Sequence, residues 1–76
     1  MSYNIPQCEE IAQIANDASG PIKLSELAAM LGYPTSKSVA PRVSAAWWYY
    51  KSIGDGYTQG VIERTFVNKH GLLPFR

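Results

Sequence analysis

The stretch that most limits the fold of this chain is residues 24–43, LSELAAMLGYPTSKSVAPRV. Apolar residues recur at spacings of three and four from Leu24 to Leu31, which is the period of a helix that buries one face. Gly32 and Pro34 then end this helix, and a second helical run follows almost at once. A helix of barely two turns is not stable alone. We therefore expect two helices that pack together at a steep angle across a tight turn.

Length and composition indicate one folded domain spanning residues 1–76. The chain is 46% hydrophobic and 17% charged, as globular domains are. Cys8 is the one cysteine, so neither an internal disulfide nor a cluster of thiolates around a metal can form, and we expect a cytoplasmic protein. We also expect no membrane partner, because no apolar run approaches about 18 residues and the N-terminus lacks a signal-peptide pattern.

Charge is distributed unevenly along the chain, although the net charge is only +1. Residues 1–33 contain four acidic side chains and one lysine, whereas residues 34–76 contain six basic side chains and two acidic ones. A positive second half can present one basic face to a polyanion such as a nucleic acid.

Periodicity and capping residues predict three helices in the first two thirds of the chain. Helix 1 is expected at about 6–18 and helix 2 at about 25–32, and a short extended segment precedes helix 2. Helix 3 is expected at about 38–52 with Ser38 as its N-cap. A start at Thr35 would place Pro41 inside the helix at a cost of about 3 kcal/mol, which favours the later start.

The C-terminal third shows a different pattern. Residues 61–67, VIERTFV, are rich in β-branched side chains, 68–71 form a turn, and 72–76 are extended. We predict a β-hairpin over about 61–75 with Pro74 on its free edge. The alternative is a fourth helix over 58–70, capped by Thr58 and closed by Gly71, but the β-branched content disfavours it.

This order of elements resembles the winged helix-turn-helix family of DNA-binding domains. "LSELAAMLGY" resembles the second helix of that family, and "SKSVAPRVSAAWWYY" resembles its recognition helix. "GVIERTFVNKHGLLPFR" is similar to its first wing strand and wing loop. The resemblance covers about residues 5–76. It implies an α+β, mainly α fold: a three-helix winged helix-turn-helix with a C-terminal β-hairpin wing.

The sequence offers little for catalysis. His70 is the only histidine and falls in a predicted exposed loop, while Cys8 lies on the apolar stripe of helix 1. The segment Gly54-Asp55-Gly56 lacks the Lys-Ser/Thr that follows a phosphate-binding loop. We therefore expect no enzyme, no cofactor and no metal.

DNA binding agrees better with the residues present. A recognition helix reads base edges in the major groove with side chains near its N-terminus, and Arg42 can pair bidentately with guanine. A hairpin tip can contact the adjacent backbone or minor groove. The candidate DNA-binding residues are Thr35, Ser36, Lys37, Ser38, Arg42, Arg64, Asn68, Lys69 and His70.

Four consecutive aromatic residues, Trp47 to Tyr50, cover more than one face of the predicted third helix. Trp47 and Tyr50 fit the buried stripe, so Trp48 and Tyr49 must project elsewhere. They either fill space under the hairpin or form a candidate dimer interface, since exposed aromatics are favoured anchors.

The resulting hypothesis is a small cytoplasmic transcriptional regulator that binds double-stranded DNA sequence-specifically as a homodimer. The first alternative is a winged-helix protein–protein interaction module, an assembly factor or inhibitor, that uses the Trp47–Tyr50 aromatic cluster. The second is that these residues are the DNA-recognition domain of a longer protein.

Overall fold

The computed structural model describes residues 3–68 and 71–72 and is mainly helical. Its elements are α1 (Ile5–Asp17), β1 (Ile22–Lys23), α2 (Leu24–Leu31), α3 (Ser36–Ser52), α4 (Gly56–Thr65), β2 (Phe66–Asn68) and β3 (Gly71–Leu72). The predicted α+β, mainly α class is confirmed. The described residues contain four helices, however, where three were expected.

Helices α1 and α2 begin and end within one residue of their predicted bounds, because local signals define both. The Asn4 side chain accepts a hydrogen bond from the backbone N–H of Gln7 and caps α1. Helix α2 ends at Gly32, whose φ of 79° lies in the left-handed region that favours glycine. The backbone N–H of Tyr33 then donates to the Ala28 carbonyl at 2.8 Å and closes the turn.

The predicted start of the third helix is wrong: α3 begins at Ser36, two residues before the expected Ser38 N-cap. Thr35 is the cap, and its side chain accepts from the backbone N–H of Ser38. Pro41 therefore lies inside the helix. Its missing N–H would have paired with the carbonyl of Lys37, which is an exposed residue.

Burial offsets the unfavourable proline in α3. Val39 and Val43, on either side of Pro41, are fully buried in the core. Burying such a side chain contributes about 1.5–3 kcal/mol, so two of them contribute at least as much as a proline cost of about 3 kcal/mol.

The predicted hairpin over 61–75 begins too early, because residues 61–65 belong to helix α4. The alternative helix over 58–70 is also wrong in its bounds, since α4 starts at Gly56 and ends at Thr65. Asp55, not Thr58, caps this helix: its carboxylate accepts from the backbone N–H of Thr58 at 3.0 Å and from its hydroxyl at 2.7 Å. Ile62 is fully buried, and this burial overrides the strand preference of the β-branched residues.

The three short strands form one sheet in the order β1-β2-β3. β1 pairs in parallel with β2, with Ile22 opposite Phe66. β2 pairs antiparallel with β3, with Asn68 opposite Gly71. A C-terminal hairpin therefore exists, but it starts at Phe66. Residues 69–70 and 73–76, including the predicted edge position of Pro74, lie outside the described residues.

One buried cluster holds the helices and the sheet together. α1 packs against α3 and α4, and α2 packs against α3. The buried hydrophobic residues are Cys8, Ile11, Ala12, Ala15, Leu24, Leu27, Ala28, Val39, Val43, Ala46, Trp47, Tyr50, Ile62 and Phe66. Since α1 touches both α3 and α4, grooves form on both of its sides. In the part of the chain that the structure describes, no helix is both long enough and apolar enough to cross a membrane.

Candidate nucleic-acid interface and the groove beside it

Helix α3 has a buried side and an exposed side. Val39, Val43 and Trp47 lie in the core. The other side of α3 exposes four residues, Lys37, Pro41, Arg42 and Trp48. The small residues Ser44 and Ala45, which lie between Arg42 and Trp48, are half-buried. The N-terminal half of the exposed side therefore carries two cationic side chains, while its C-terminal half carries an aromatic one.

A groove with a volume of about 790 Å³ separates this exposed side of α3 from the start of α1. Tyr3, Asn4, Gln7 and Cys8 line it from the α1 side. The α3 side contributes Lys37, Ser38, Pro41, Arg42, Ser44, Ala45 and Trp48. We call this space the α1–α3 groove. Three of the predicted DNA-binding residues, Lys37, Ser38 and Arg42, thus form part of one wall of a groove.

Arg42 is held by two residues from elsewhere in the chain. Its Nη1 donates a hydrogen bond to Oε1 of Gln7 at 3.0 Å. Its guanidinium carbon lies 4.7 Å from the centroid of the Tyr33 ring, a cation–π contact. Nε2 of Gln7 in turn donates to the Tyr33 hydroxyl. We call these three residues the Arg42 clamp; it fixes where the guanidinium lies and uses one of its five N–H donors.

Sequence reasoning identified Arg42 but missed Gln7 and Tyr33. Nothing in the local pattern singles out Gln7, since it is an ordinary polar residue in the first turn of a helix. Tyr33 directly follows the helix-ending Gly32, but this position alone does not predict what its ring contacts. In the structure, the Tyr33 ring lies under the guanidinium of Arg42.

The other candidate residues at the start of α3 divide into two kinds. Lys37 is exposed, as the DNA-binding hypothesis requires. Thr35 and Ser38 are engaged with each other: their hydroxyl oxygens lie 3.2 Å apart and Thr35 caps the helix. Ser36 is half-buried at the first helical position. Lys37 and Arg42 are thus the charged candidates that the structure brings together.

The predicted wing residues are not brought to the α1–α3 groove by the part of the chain that the structure describes. Arg64 is exposed on α4, in a region that sequence reasoning assigned to a strand. Its Nη1 lies only 2.9 Å from the position a Cβ would take at Gly60, so this side chain folds back along its own helix. Asn68 is half-buried in β2. Lys69 and His70 lie outside the described residues.

The aromatic run divides between core and surface. Trp47 and Tyr50 are buried, as predicted, whereas Trp48 is 43% exposed. Nζ of Lys51 lies 4.8 Å from the Trp48 ring centroid and covers part of it. Tyr49 is half-buried and meets the Tyr3 ring edge-to-face at 5.6 Å. Of the two candidate interface residues, Trp48 is the one available to a partner.

A second, smaller groove of about 350 Å³ lies on the other side of α1, against α4. Glu9, Asn16 and Asp55 are among the polar residues that line it. Hydrogen bonds from the backbone N–H of Thr58 and then from its hydroxyl hold the pKa of Asp55 below its usual value. We call this space the α1–α4 groove; it is acidic where the α1–α3 groove is basic.

Two buried groups that can act as nucleophiles, Cys8 and Tyr50, have raised pKa values. Burial raises the pKa of the Cys8 thiol, and the charge of Glu9 adds to the effect, so the thiol stays protonated near neutral pH. Burial likewise raises the pKa of Tyr50. Within residues 3–68 and 71–72, His, Cys, Asp and Glu side chains form no group of three that could hold a metal ion.

Comparisons with models of protein families, with curated proteins and with solved structures found no match. No family and no structural neighbour therefore adds to the geometry described above, and the function has to be inferred from the groove, the exposed side of α3 and the Arg42 clamp.

Proposed function

We propose that this protein binds double-stranded DNA sequence-specifically, as a small cytoplasmic transcriptional regulator of the winged helix-turn-helix kind. The observation that carries the proposal is the exposed N-terminal half of α3, which directs Lys37 and Arg42 away from the core. In this proposal α3 enters the major groove, and the β2–β3 hairpin acts as the wing beside it.

The connection between α2 and α3 supports this assignment. Residues 32–35 join the two helices, and Gly32 supplies the left-handed conformation. A turn of three or four residues with a glycine is typical of helix-turn-helix motifs. Thr35 caps α3, so the first turn of the second helix is well defined at the point where it would meet bases. Helix α4 is then an addition between the recognition helix and the wing.

Lys37 and Arg42 have different roles in this proposal. Arg42 is pre-oriented by Gln7 and Tyr33, which lowers the cost of ordering a long side chain when it pairs with a guanine. Lys37 has neither of these contacts and serves as a point charge toward a phosphate. Two small side chains line the same surface: Pro41 lies between Lys37 and Arg42 in sequence, and Ala45 follows Arg42.

The test is selection of duplexes from a random library with the 76-residue protein, followed by anisotropy titrations of the selected and of random duplexes at several salt concentrations. We expect Arg42→Ala to reduce discrimination by about 1–3 kcal/mol and Lys37→Ala to weaken binding to all duplexes similarly. Lys23→Ala removes the same charge from strand β1 and is the matched control. Failure to bind any duplex more tightly than about 100 µM at low salt would refute the proposal.

A second candidate function rests on Trp48, which is exposed beside the groove on α3. In this candidate Trp48 and the edge of Tyr49 form the homodimer interface, or the surface of a protein–protein interaction module. Sedimentation at increasing concentration separates the cases. A dimer that Trp48→Ala dissociates supports the interface, and a monomer at all concentrations refutes the homodimer.

A further inference from the structure

The α1–α3 groove has two ends of different chemistry. Gln7 contacts Arg42, and Tyr3 contacts Tyr49, so the chain leading into α1 runs antiparallel to α3 along the groove. Ser38 and Trp48 both line the groove and are ten residues apart on one helix. At a rise of about 1.5 Å per residue, the groove extends about 15 Å along α3.

One end of the groove is cationic. Lys37 and Arg42 line it together with the hydroxyl-bearing Ser38 and the amide of Gln7, and its described lining residues include no acidic side chain. Arg42 is held in place by the clamp and therefore loses little freedom when it binds an anion. This end is suited to a single carboxylate or a group of similar charge.

The remainder of the groove is mostly apolar. Pro41 and Ala45 form its floor on α3, the buried Cys8 contributes from α1, and the exposed Trp48 and half-buried Tyr3 form its far end. A volume of about 790 Å³ lies within the range of small-molecule sites, which combine apolar walls with a few convergent polar groups.

We propose that the α1–α3 groove binds an amphiphilic organic anion. Its carboxylate lies between Lys37 and Arg42, and its apolar body lies over Pro41 and Ala45 toward Trp48, along a groove about 15 Å long. The binding itself does not depend on DNA. Because Lys37 and Arg42 would serve both partners, the anion would also act as an effector that displaces DNA, and this consequence alone rests on the proposed function.

Calorimetric titration of the 76-residue protein without DNA tests the binding. The probes are octanoate, 1-octanol, octylammonium and acetate, which vary the head group and the tail separately. We expect octanoate to bind with a dissociation constant below about 1 mM. Octanol and octylammonium should bind about tenfold more weakly, because they lack the charge that the two cations recognise. Acetate should give no measurable heat.

Two variants test whether the ligand binds in this groove. Ala45→Leu fills the middle of the groove from its half-buried wall and should weaken octanoate binding at least tenfold. Lys37→Ala should weaken it about fivefold and reduce the preference for octanoate over octanol. Lys23→Ala on β1 and Tyr57→Ala, which removes an aromatic ring 73% exposed on α4, should leave the affinity unchanged. Circular dichroism checks that each variant keeps its helices.

Several results would overturn the proposal: equal affinity for octanoate, octanol and octylammonium, binding of acetate as tight as that of octanoate, or no octanoate binding below about 10 mM. An unchanged affinity in both Ala45→Leu and Lys37→Ala would do the same. The DNA consequence is tested separately by adding octanoate to a protein–duplex complex. If octanoate binds but no duplex does, the groove assignment stands and the DNA assignment fails.

Discussion

The two grooves beside α1 differ in charge although they share a helix. The α1–α3 groove is lined by Lys37 and Arg42, and the α1–α4 groove is lined by Glu9 and Asp55. Among the described lining residues, the first contains no acidic side chain and the second no lysine or arginine. The described linings of the two grooves thus carry opposite charge on the two sides of α1.

Helix geometry explains how one helix serves both grooves. Gln7 and Glu9 are two residues apart on α1, and a turn of about 100° per residue places them about 200° apart around the axis. Gln7 therefore reaches Arg42 while Glu9 lies on the opposite side. A single substitution on α1 can alter one groove and leave the other unchanged, which makes the contrast testable.

The largest expected effect comes from Phe66→Ala, which would destabilise the fold on which both grooves depend. Phe66 is fully buried where α4 meets β2, and its backbone N–H bonds to the Ile62 carbonyl at the end of α4. Truncating a buried phenylalanine costs about 3–5 kcal/mol in free energy of unfolding. Urea denaturation measures this loss. The neighbouring half-buried Val67→Ala is the control and should cost clearly less; similar losses would mean that Phe66 does not anchor α4.

The contrast in charge between the two grooves is tested by two substitutions that change the net charge by the same amount with opposite sign. Lys37→Glu should weaken binding to any duplex by about tenfold or more at low salt, because a cation facing a phosphate becomes an anion. Glu9→Lys, on the α1–α4 groove, should change the affinity by less than about threefold, since screening reduces the effect of a distant charge. Anisotropy titrations measure the duplex affinity of both variants. Equal effects of the two variants would show that DNA does not select the α3 side.

The Arg42 clamp is tested by Gln7→Ala. Without Gln7, Arg42 keeps its charge and its contact with Tyr33 but loses the hydrogen bond that orients it, so discrimination between selected and random duplexes should fall by about 0.5–1.5 kcal/mol while affinity for random DNA is kept. Gln13→Ala is the matched control, because Gln13 lies on the same helix and bonds only to Asp17 among the contacts described here. Loss of affinity for all duplexes in Gln7→Ala would contradict an orienting role.

The smallest expected effect concerns Asp55 in the α1–α4 groove. Its folded-state pKa is lowered, so it stabilises the fold above the unfolded carboxyl pKa of about 3.9, and this stabilisation disappears as the pH falls through the folded-state pKa. Asp55→Asn retains a capping oxygen but does not titrate. Thermal midpoints measured from about pH 6 to pH 2 should therefore fall less steeply in Asp55→Asn than in the native chain. Parallel curves would contradict the assignment.

Sequence reasoning was accurate where local rules dominate. The predicted bounds of α1 and α2 lie within one residue of the observed ones, and Gly32 ends α2 as predicted. It was inaccurate at the start of α3: the cost of a proline inside the helix favoured Ser38 as the cap, whereas the helix begins at Ser36 and Pro41 lies beside the buried Val39 and Val43. It was also inaccurate at residues 61–65, where the β-branched pattern predicts a strand and the burial of Ile62 yields a helix.

The candidate site shows the same division. The exposed Lys37 and Arg42 could be identified from a helix pattern with polar residues near its start. The hydrogen-bond partner of Arg42, however, is Gln7, which lies 35 residues away in sequence, and no periodicity connects the two. The α1–α3 groove likewise exists only because α1 packs across α3.

What the amino-acid sequence determined by itself is the order of the first three helices, the break at Gly32 and the cationic start of α3. Caps, glycines and apolar spacing act within a few residues, and they need no distant partner. Tertiary structure decided between helix and strand at residues 61–65, and it alone decided the orientation of Arg42 and the separation of positive and negative grooves. Propensities differ by less than about 1 kcal/mol per residue for ordinary side chains, whereas burying one large apolar side chain contributes about 1.5–3 kcal/mol.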